Sequence, residues 1–531
     1  MPPCVGVFLI LAYKKGWVNR KLYKNIVILY IFWYNWGRGE KMKIVLFGLN
    51  GSYSHTCLAL RCLRGALERG GYAPKIVEAN LRDRRDEVLQ SLYSEKADVY
   101  GFSCYIWNIT EMTAIAADLK ALLPRSKIVF GGPEVSFDAE RLDRADFIDS
   151  AVCGEGEGVI ADLCSQIECG EPLPKMLNAP KADVMFDEGI LYRDGDFKSG
   201  EMLYYESSRG CPYRCSYCLS SAECGVRAKS AEQTLADLLE FEKLENDIKV
   251  IKFVVRTFNC DRKRANKIWA ALATPEYTKN YHFEICASLL DEESFEILSK
   301  LPKGKVQLEI GLQSTNPKTL AEVSRHIDSA QVIAATERLH KMGNMHIHLD
   351  LIAGLPYEGY ESFKRSFNDA YFCCDMLQLG FLKLLHGTEL RKNAEKYGIV
   401  YSKNPPYTVL ETADISRDEL YRLSQIADLL DRYYSSGKFS LCLDFAVKNS
   451  KSPFDFYEGL YDYMTETEGR GVRKLSQTDA FRVLYGYVRT FLGEPETAEF
   501  EALMHKDFSA HEARRLPLSV ISTKNQKEVL L

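Results

Sequence analysis

The chain has 531 residues, of which 46% are hydrophobic, with 68 Lys and Arg against 73 Asp and Glu. At about 150 residues per domain that length suggests roughly three or four domains. An ordinary composition excludes a disordered tail, a collagen-like repeat and a disulfide-stapled miniprotein. A formal charge of −5 gives no global drive toward nucleic acid or an anionic membrane.

The first 41 residues differ from the rest. Two apolar runs, Val5–Ala12 and Ile26–Trp33, are each far shorter than the about 20 residues that a membrane span needs. A surface hairpin is the weaker alternative, and no membrane partner is expected. Met42-Lys-Ile-Val-Leu-Phe47 opens directly on a strand pattern, so residues 1–41 are expected to be a non-native or disordered extension.

From residue 42 to 170, strand and helix patterns alternate. Strands are expected at 43–48, 74–79, 98–104, 127–133 and 147–154, and helices at 58–70 and 110–123. That alternation predicts a Rossmann-like, doubly wound parallel sheet, with ligands beyond the carboxyl ends of the strands. Those ends carry Asn50, Ser52, His55, Ser103, Tyr105, Gly131, Gly132, Pro133 and Gly154. In these residues the segment resembles the cobalamin-binding domain found ahead of radical S-adenosylmethionine (SAM) enzymes. The resemblance implies that the nine residues hold the corrin and its nucleotide tail. In cobalt-ligating relatives an Asp lies two residues before the His and a Gly three after. Tyr53 and Leu58 occupy those places here, so His55 is expected to hydrogen-bond within its loop and not to ligate cobalt. Residues 171–203, with Pro172, Pro174 and Pro180, are expected to be a linker with one short hairpin.

Sixteen cysteines occur, most of them single within apolar patterns. No secretory signal is evident, which favours a reducing compartment, the cytoplasm. Only Cys211, Cys215 and Cys218 are tightly spaced, as C-x3-C-x2-C. Three thiolates on one loop can converge on a [4Fe–4S] cube and leave one iron open. A structural zinc site wants four ligands, and Cys224 is the only nearby spare. With Tyr217 before the third Cys, the motif resembles that of the radical SAM superfamily. The resemblance implies that SAM chelates the open iron and is reductively cleaved to a 5′-deoxyadenosyl radical.

Residues 204–410 carry six strand patterns separated by helices, which predicts a partial (β/α)6 barrel with site residues at strand C-termini. Val306, Leu308, Leu349 and Leu351 are expected to point inward as core. The family resemblance extends across this stretch. It implies that Tyr217 lies near the adenine, that Glu309 and Gln313 lie along the ribose, and that Arg325 pairs with the methionine carboxylate. The alternative for Arg325 is a surface salt bridge. Asp350 and Gly354 fall on the strand that approaches the adenosyl part. Many relatives carry Gly-Gly-Glu after the second strand; Val254–Asn259 stands here instead, leaving Arg256 and Asn259 as contact candidates.

Residues 411–531 show helical spacing at 420–434, 456–464 and 480–492, a frayed end from 519, and no chemical motif. A helical domain of unknown role is expected, capping the barrel mouth and setting specificity. The short basic loop Gly469–Lys474 is too small an argument for nucleic acid.

Taken as a whole the chain is expected to be a radical SAM enzyme with a [4Fe–4S] cluster, SAM and cobalamin. It would methylate a carbon of a small-molecule substrate and draw electrons from a flavodoxin or ferredoxin. A methylthiotransferase acting on RNA or protein is an alternative, but it needs a second cysteine triad. Cys57, Cys62, Cys104 and Cys153 are scattered. A non-catalytic cobalamin or SAM sensor is the other.

Overall fold

A computed structural model describes residues 42–138, 145–181, 191–198, 200–221, 225–244, 248–469, 471–511, 517 and 520. The expected N-terminal extension, Cys224, most of the expected hairpin and nearly all of the expected frayed end lie outside the described residues.

The first sheet has six parallel strands: β1 Ile44–Asn50, β2 Lys75–Asn80, β3 Val99–Ser103, β4 Lys127–Gly131, β5 Ser150–Gly154 and β6 Met176–Ala179, in the order β2-β1-β3-β4-β5-β6. The chain reverses its direction of winding between β1 and β3, which opens a crevice at their C-terminal ends. Ile44 to Leu49 are all buried because helices cover both faces, as parallel sheets require. On one face Phe47 meets Phe102 edge-on at 5.4 Å, and Phe102 lies 5.2 Å from Phe130. Strand β6 extends this sheet from within the segment expected to be a linker; its flanking prolines masked a four-residue strand.

The second sheet is the partial barrel: β7 Leu203–Tyr205, β8 Val250–Phe253, β9 Asn280–Ile285, β10 Val306–Gln313, β11 His346–Ala353 and β12 Met376–Phe381, paired in parallel from β7 through to β12. Along β10 and β11 buried and half-buried residues alternate. Val306, Leu308, Leu349 and Leu351 are fully buried in the main core. They do not point inward as expected. Glu309, Gly311 and Asp350, on the opposite pleat, line the cavity, so the aliphatic set faces the outer helices.

The open side of the barrel is closed by the first domain. Met202 N–H donates to the Ser54 carbonyl at 2.8 Å, and Tyr407 Oη donates to Glu134 at 2.6 Å. The C-terminal ends of the first sheet therefore face both free edges of the second. Arg209, two residues before Cys211, meets Glu155 at 3.3 Å, Glu206 at 2.9 Å and Glu157.

Among the described residues five α-helices follow: Arg417–Leu430, Ser440–Lys448, Pro453–Glu468, Gln477–Val488 and Glu494–His511. The first starts on a capping box, Ser416 with Glu419. Their apolar faces join the barrel's own core. Tyr360 donates to Glu458 at 2.7 Å, and the Tyr371 and Tyr457 hydroxyls lie 2.9 Å apart. The unit thus packs on the outside of the helix Tyr360–Ala370; among the described residues none beyond Asp350 lines the cysteine cavity, so the expected cap over the barrel mouth is not formed by them.

One buried acid ties the loop after β10 to that helix. Glu358 is fully buried and accepts from Ser314 Oγ at 2.6 Å and Ser366 Oγ at 3.0 Å. Burial pushes its carboxyl up to about 7 from an ordinary 4.5. The folded state then keeps a proton that the unfolded chain releases. Stability is fully present below pH 4.5 and is lost as the pH rises through 7, by about 3 kcal/mol in all. Thermal melts from pH 5 to 8 are expected to fall for the wild type and to flatten in Glu358→Gln.

Candidate functional site

The loop after β7 carries the three cysteines. Cys215 is buried, and Cys211 and Cys218 are half-buried. Cys218 N–H donates to the Cys215 carbonyl at 3.0 Å, a tight turn that puts both thiols on one side. All three line one cavity of about 170 Å3 at the C-terminal mouth of the barrel. Tyr217, Glu309, Gln313, Arg325 and Asp350 line the same cavity, with Tyr213, Arg256, Thr257, Glu284 and Cys286 among the rest. Five of the six residues expected to contact SAM therefore converge. Gly354 does not: it lies at φ +88° with Val409, Leu382 and Leu420 around it, in the core beneath the C-terminal helices. Asn259 does not either: it is fully buried, and its amide bonds both backbone groups of Cys286, at 2.9 and 3.0 Å.

Arg325 is no surface salt bridge. Its Nη1 donates to Cys215 Sγ at 3.7 Å and its Nη2 to the Gly311 carbonyl, while Nε is buried without a partner. Burial pushes the Cys215 thiol up, and the Arg325 guanidinium pulls it back. Gln313 sits at φ +72°, beside a register shift between Gly311 and Gln313. A positive φ is costly for a residue other than glycine, and such strain gathers where a side chain must be aimed. Its Oε1 is buried and unpaired. Asp350 is pushed up to about 8, first by burial and then by the Glu309 and Glu284 carboxylates; its Oδ1 lies 3.6 Å from His348 Nε2. Buried orphan donors and acceptors are rare, and the two on Arg325 and Gln313 mark a place for a polar ligand.

Among the described residues, three potential metal-ligand atoms come within 4.8 Å of one another only at His282, Glu309 and His348. The three cysteine sulfurs are therefore not all within 4.8 Å of one another.

The nine residues expected to hold cobalamin all lie at the C-terminal end of the first sheet. Asn50 Nδ2 donates to the His55 carbonyl and to Glu78, both at 3.0 Å. Ser52 and Ser54 hydroxyls are 3.1 Å apart, and Cys57 Sγ donates to Ser103 Oγ at 3.6 Å. Ser103 pairs with Gly131 across the ladder. Gly132 has φ +111°, and a Cβ there would stand 2.5 Å from the Cys104 carbonyl oxygen, so only glycine makes this turn. Pro133 opens the short helix Pro133–Ser136, and Gly154 N–H donates to Ser136 Oγ at 3.2 Å. The His55 ring packs edge-on to Tyr204 of β7 at 5.7 Å. Tyr105 stacks on Trp107 at 4.4 Å, and Trp107 and Tyr53 are more than half exposed. Such open aromatic surface at the crevice suits a flat macrocycle.

Three family models match in succession: a B12 binding domain at residues 45–164, the radical SAM superfamily at 205–370 and a protein of unknown function (DUF4080) at 395–530. An uncharacterized methyltransferase of Pyrococcus horikoshii is 24% identical, covering 64% of this chain and 78% of its own length. The cobalamin-dependent radical SAM methyltransferase TokK of Streptomyces tokunonensis is 23% identical over 69% of this chain, and the match spans 61% of TokK, under two thirds of it. Among solved structures, the cobalamin-dependent radical enzyme OxsB has a TM-score of 0.59 at 15% identity, covering 89% of this chain and 80% of OxsB. The radical SAM methyltransferase TsrM of Kitasatospora setae, with cobalamin and a [4Fe–4S] cluster bound, has a TM-score of 0.55 at 14% identity, covering 88% of this chain and all of TsrM. Sheet order and cysteine loop agree with these matches: a B12-binding domain at residues 45–164, a radical SAM domain at 205–370 and DUF4080 at 395–530.

Residues that the sequence did not single out are Lys252, His282, Glu284 and His348, which project into the barrel, and Tyr213 and Cys286 on the cavity wall. Lys252 Nζ donates to Glu309 at 3.2 Å, and Tyr213 Oη donates to Cys286 Sγ at 3.3 Å.

Proposed function

We propose that the chain is a cobalamin-dependent radical SAM methyltransferase acting on a small molecule. The observation that carries this is the cavity in which three cysteines meet the orphaned Arg325 Nε and Gln313 Oε1, on a barrel whose open side is closed by the strand ends of a B12-binding domain. With cluster and cobalamin bound, the chemistry supplied is one-electron cleavage of SAM to a 5′-deoxyadenosyl radical and delivery of a methyl group to the substrate carbon that the radical activates.

The chain's own part is to bind, orient and exclude water. Arg325 suits the methionine carboxylate, since a guanidinium fork matches it and Nε has no other partner. Gln313 Oε1 can accept from a ribose hydroxyl. Asp350, largely protonated at pH 7, can donate to a neighbouring acceptor. Tyr217 packs beside the cysteines as an apolar wall. The closed barrel keeps water from a radical. A narrow cavity suits a small substrate better than RNA or a folded protein. The cluster needs a one-electron donor of the flavodoxin or ferredoxin class, and free thiols fit the cytoplasm.

Arg325→Ala is expected to weaken SAM binding about tenfold to hundredfold in equilibrium dialysis, the loss of a charge-assisted hydrogen bond. Arg325→Lys should recover part of it. The functional test is anoxic incubation with SAM and dithionite, with and without hydroxocobalamin. 5′-Deoxyadenosine is expected in both, and S-adenosylhomocysteine only with cobalamin. An intact cluster that yields no deoxyadenosine would make the protein a sensor. A protein that neither retains nor responds to cobalamin would remove the methyl-transfer assignment.

A further inference from the structure

Beneath the cysteine cavity, the barrel interior is polar where strands covered on both faces are normally aliphatic. Lys252 on β8, His282 and Glu284 on β9, Glu309 on β10, and His348 and Asp350 on β11 share the inward pleat. Glu284 and Asp350 line the cavity. His282 and His348 each precede one of them by two residues, so the two rings sit one pleat nearer the strand N-termini.

There, one ligand atom from each of His282, Glu309 and His348 comes within 4.8 Å of the others. His282 Nε2 lies 3.3 Å from Glu309 Oε2. Adjacent strands supply one residue each, and paired strands hold side chains more rigidly than loops do. His282 Nδ1 is buried with no hydrogen-bond partner, and the His282 side chain is 9% exposed, while His348 Nε2 faces Asp350 Oδ1 at 3.6 Å. Two imidazoles and a carboxylate are a donor set for zinc, iron(II) or manganese, and three protein ligands leave positions open.

We propose that His282, Glu309 and His348 form a binding site for a divalent first-row transition-metal ion in the barrel interior, separate from the cluster. Glu309 also lines the cysteine cavity, so an open position of the ion can anchor an oxygen-bearing group of a substrate held there. Lys252 is the competitor: its Nζ lies 3.2 Å from Glu309 Oε2, the same oxygen that His282 approaches, so an incoming ion displaces the ammonium or takes the other carboxylate oxygen.

The site stands or falls without the radical chemistry, because metal retention is counted directly. Cluster-reconstituted protein is dialysed against zinc sulfate, desalted, and its zinc and iron are counted by mass spectrometry. Wild type is expected to keep about one zinc more per chain than His282→Ala/His348→Ala at equal iron content and unchanged circular dichroism. If the double variant does not fold, His282→Asn and His348→Asn are each expected to weaken zinc binding at least tenfold. Lys252→Met should tighten it about tenfold, a gain that a purely structural ion pair would not give. Equal zinc in wild type and variants, or weaker binding in Lys252→Met, would overturn the site. So would lost turnover with no difference in zinc, which would make the two histidines substrate contacts.

Discussion

Cys215→Ala is expected to empty the protein of its cluster and to lower reductive SAM cleavage by at least ~10³-fold, the scale of loss when one member of a catalytic unit is removed. Cys215 is the buried member of the three, and its sulfur accepts from Arg325. A cube held by two protein thiolates loses both a ligand and the charge balance that Arg325 provides. Cys286→Ala is the contrast. That thiol lines the same cavity but bonds Tyr213 and Ser288, at 3.3 and 3.2 Å. It should keep its iron and sulfide. Iron and sulfide analysis of both variants after identical anoxic reconstitution decides the matter. Equal cluster loss in the two would mean that the cavity, and not the three-cysteine motif, sets metal binding.

Arg209→Ala is expected to cost about 3–5 kcal/mol, the range for removing one partner of a buried ion pair. Arg209 is 15% exposed and stands among Glu155, Glu157 and Glu206, two of which come from the loop after β5 of the B12-binding domain. Arg227 reaches Glu155 as well, at 3.2 Å. Without Arg209 the buried carboxylates repel one another across the domain boundary, directly before Cys211. Denaturation followed by tryptophan fluorescence should show the loss, and cobalamin retention should fall with it. Arg209→Lys should restore charge but not the three-way fork. A change below about 1 kcal/mol would show that the network is solvated and does not hold the domains together.

Most of the fold was legible because its signals are local. Continuous aliphatic runs such as Ile44–Leu49 and glycine turns at Gly131-Gly132 define a parallel sheet before any contact is known. The cysteine spacing pointed to three residues that line one cavity. Three features needed the third dimension. Strand β6 is four residues long, and prolines flank it on both sides. Gly354 lies one residue past a strand whose Asp350 does face the cavity, but its chain has already turned into the core. The inward pleat was misassigned because Val306 and Leu308 look like barrel filling. The opposite set, Lys252, His282, Glu309 and His348, was present in the sequence as polar residues at every second position of strands that should be apolar on both faces. That alternation is a strand-level signal for a polar interior. The C-terminal helices were legible as helices; their docking on Tyr360–Ala370 depends on long-range pairs such as Tyr371 with Tyr457.

Electron paramagnetic resonance of the anoxically reconstituted, dithionite-reduced protein, recorded before and after adding SAM, tests the central claim most directly. Four iron and four sulfide per chain are expected, with a reduced cubane signal that shifts when SAM is added. A sulfide-free protein with its cysteines on zinc, or a cubane signal that SAM leaves unmoved, would contradict it.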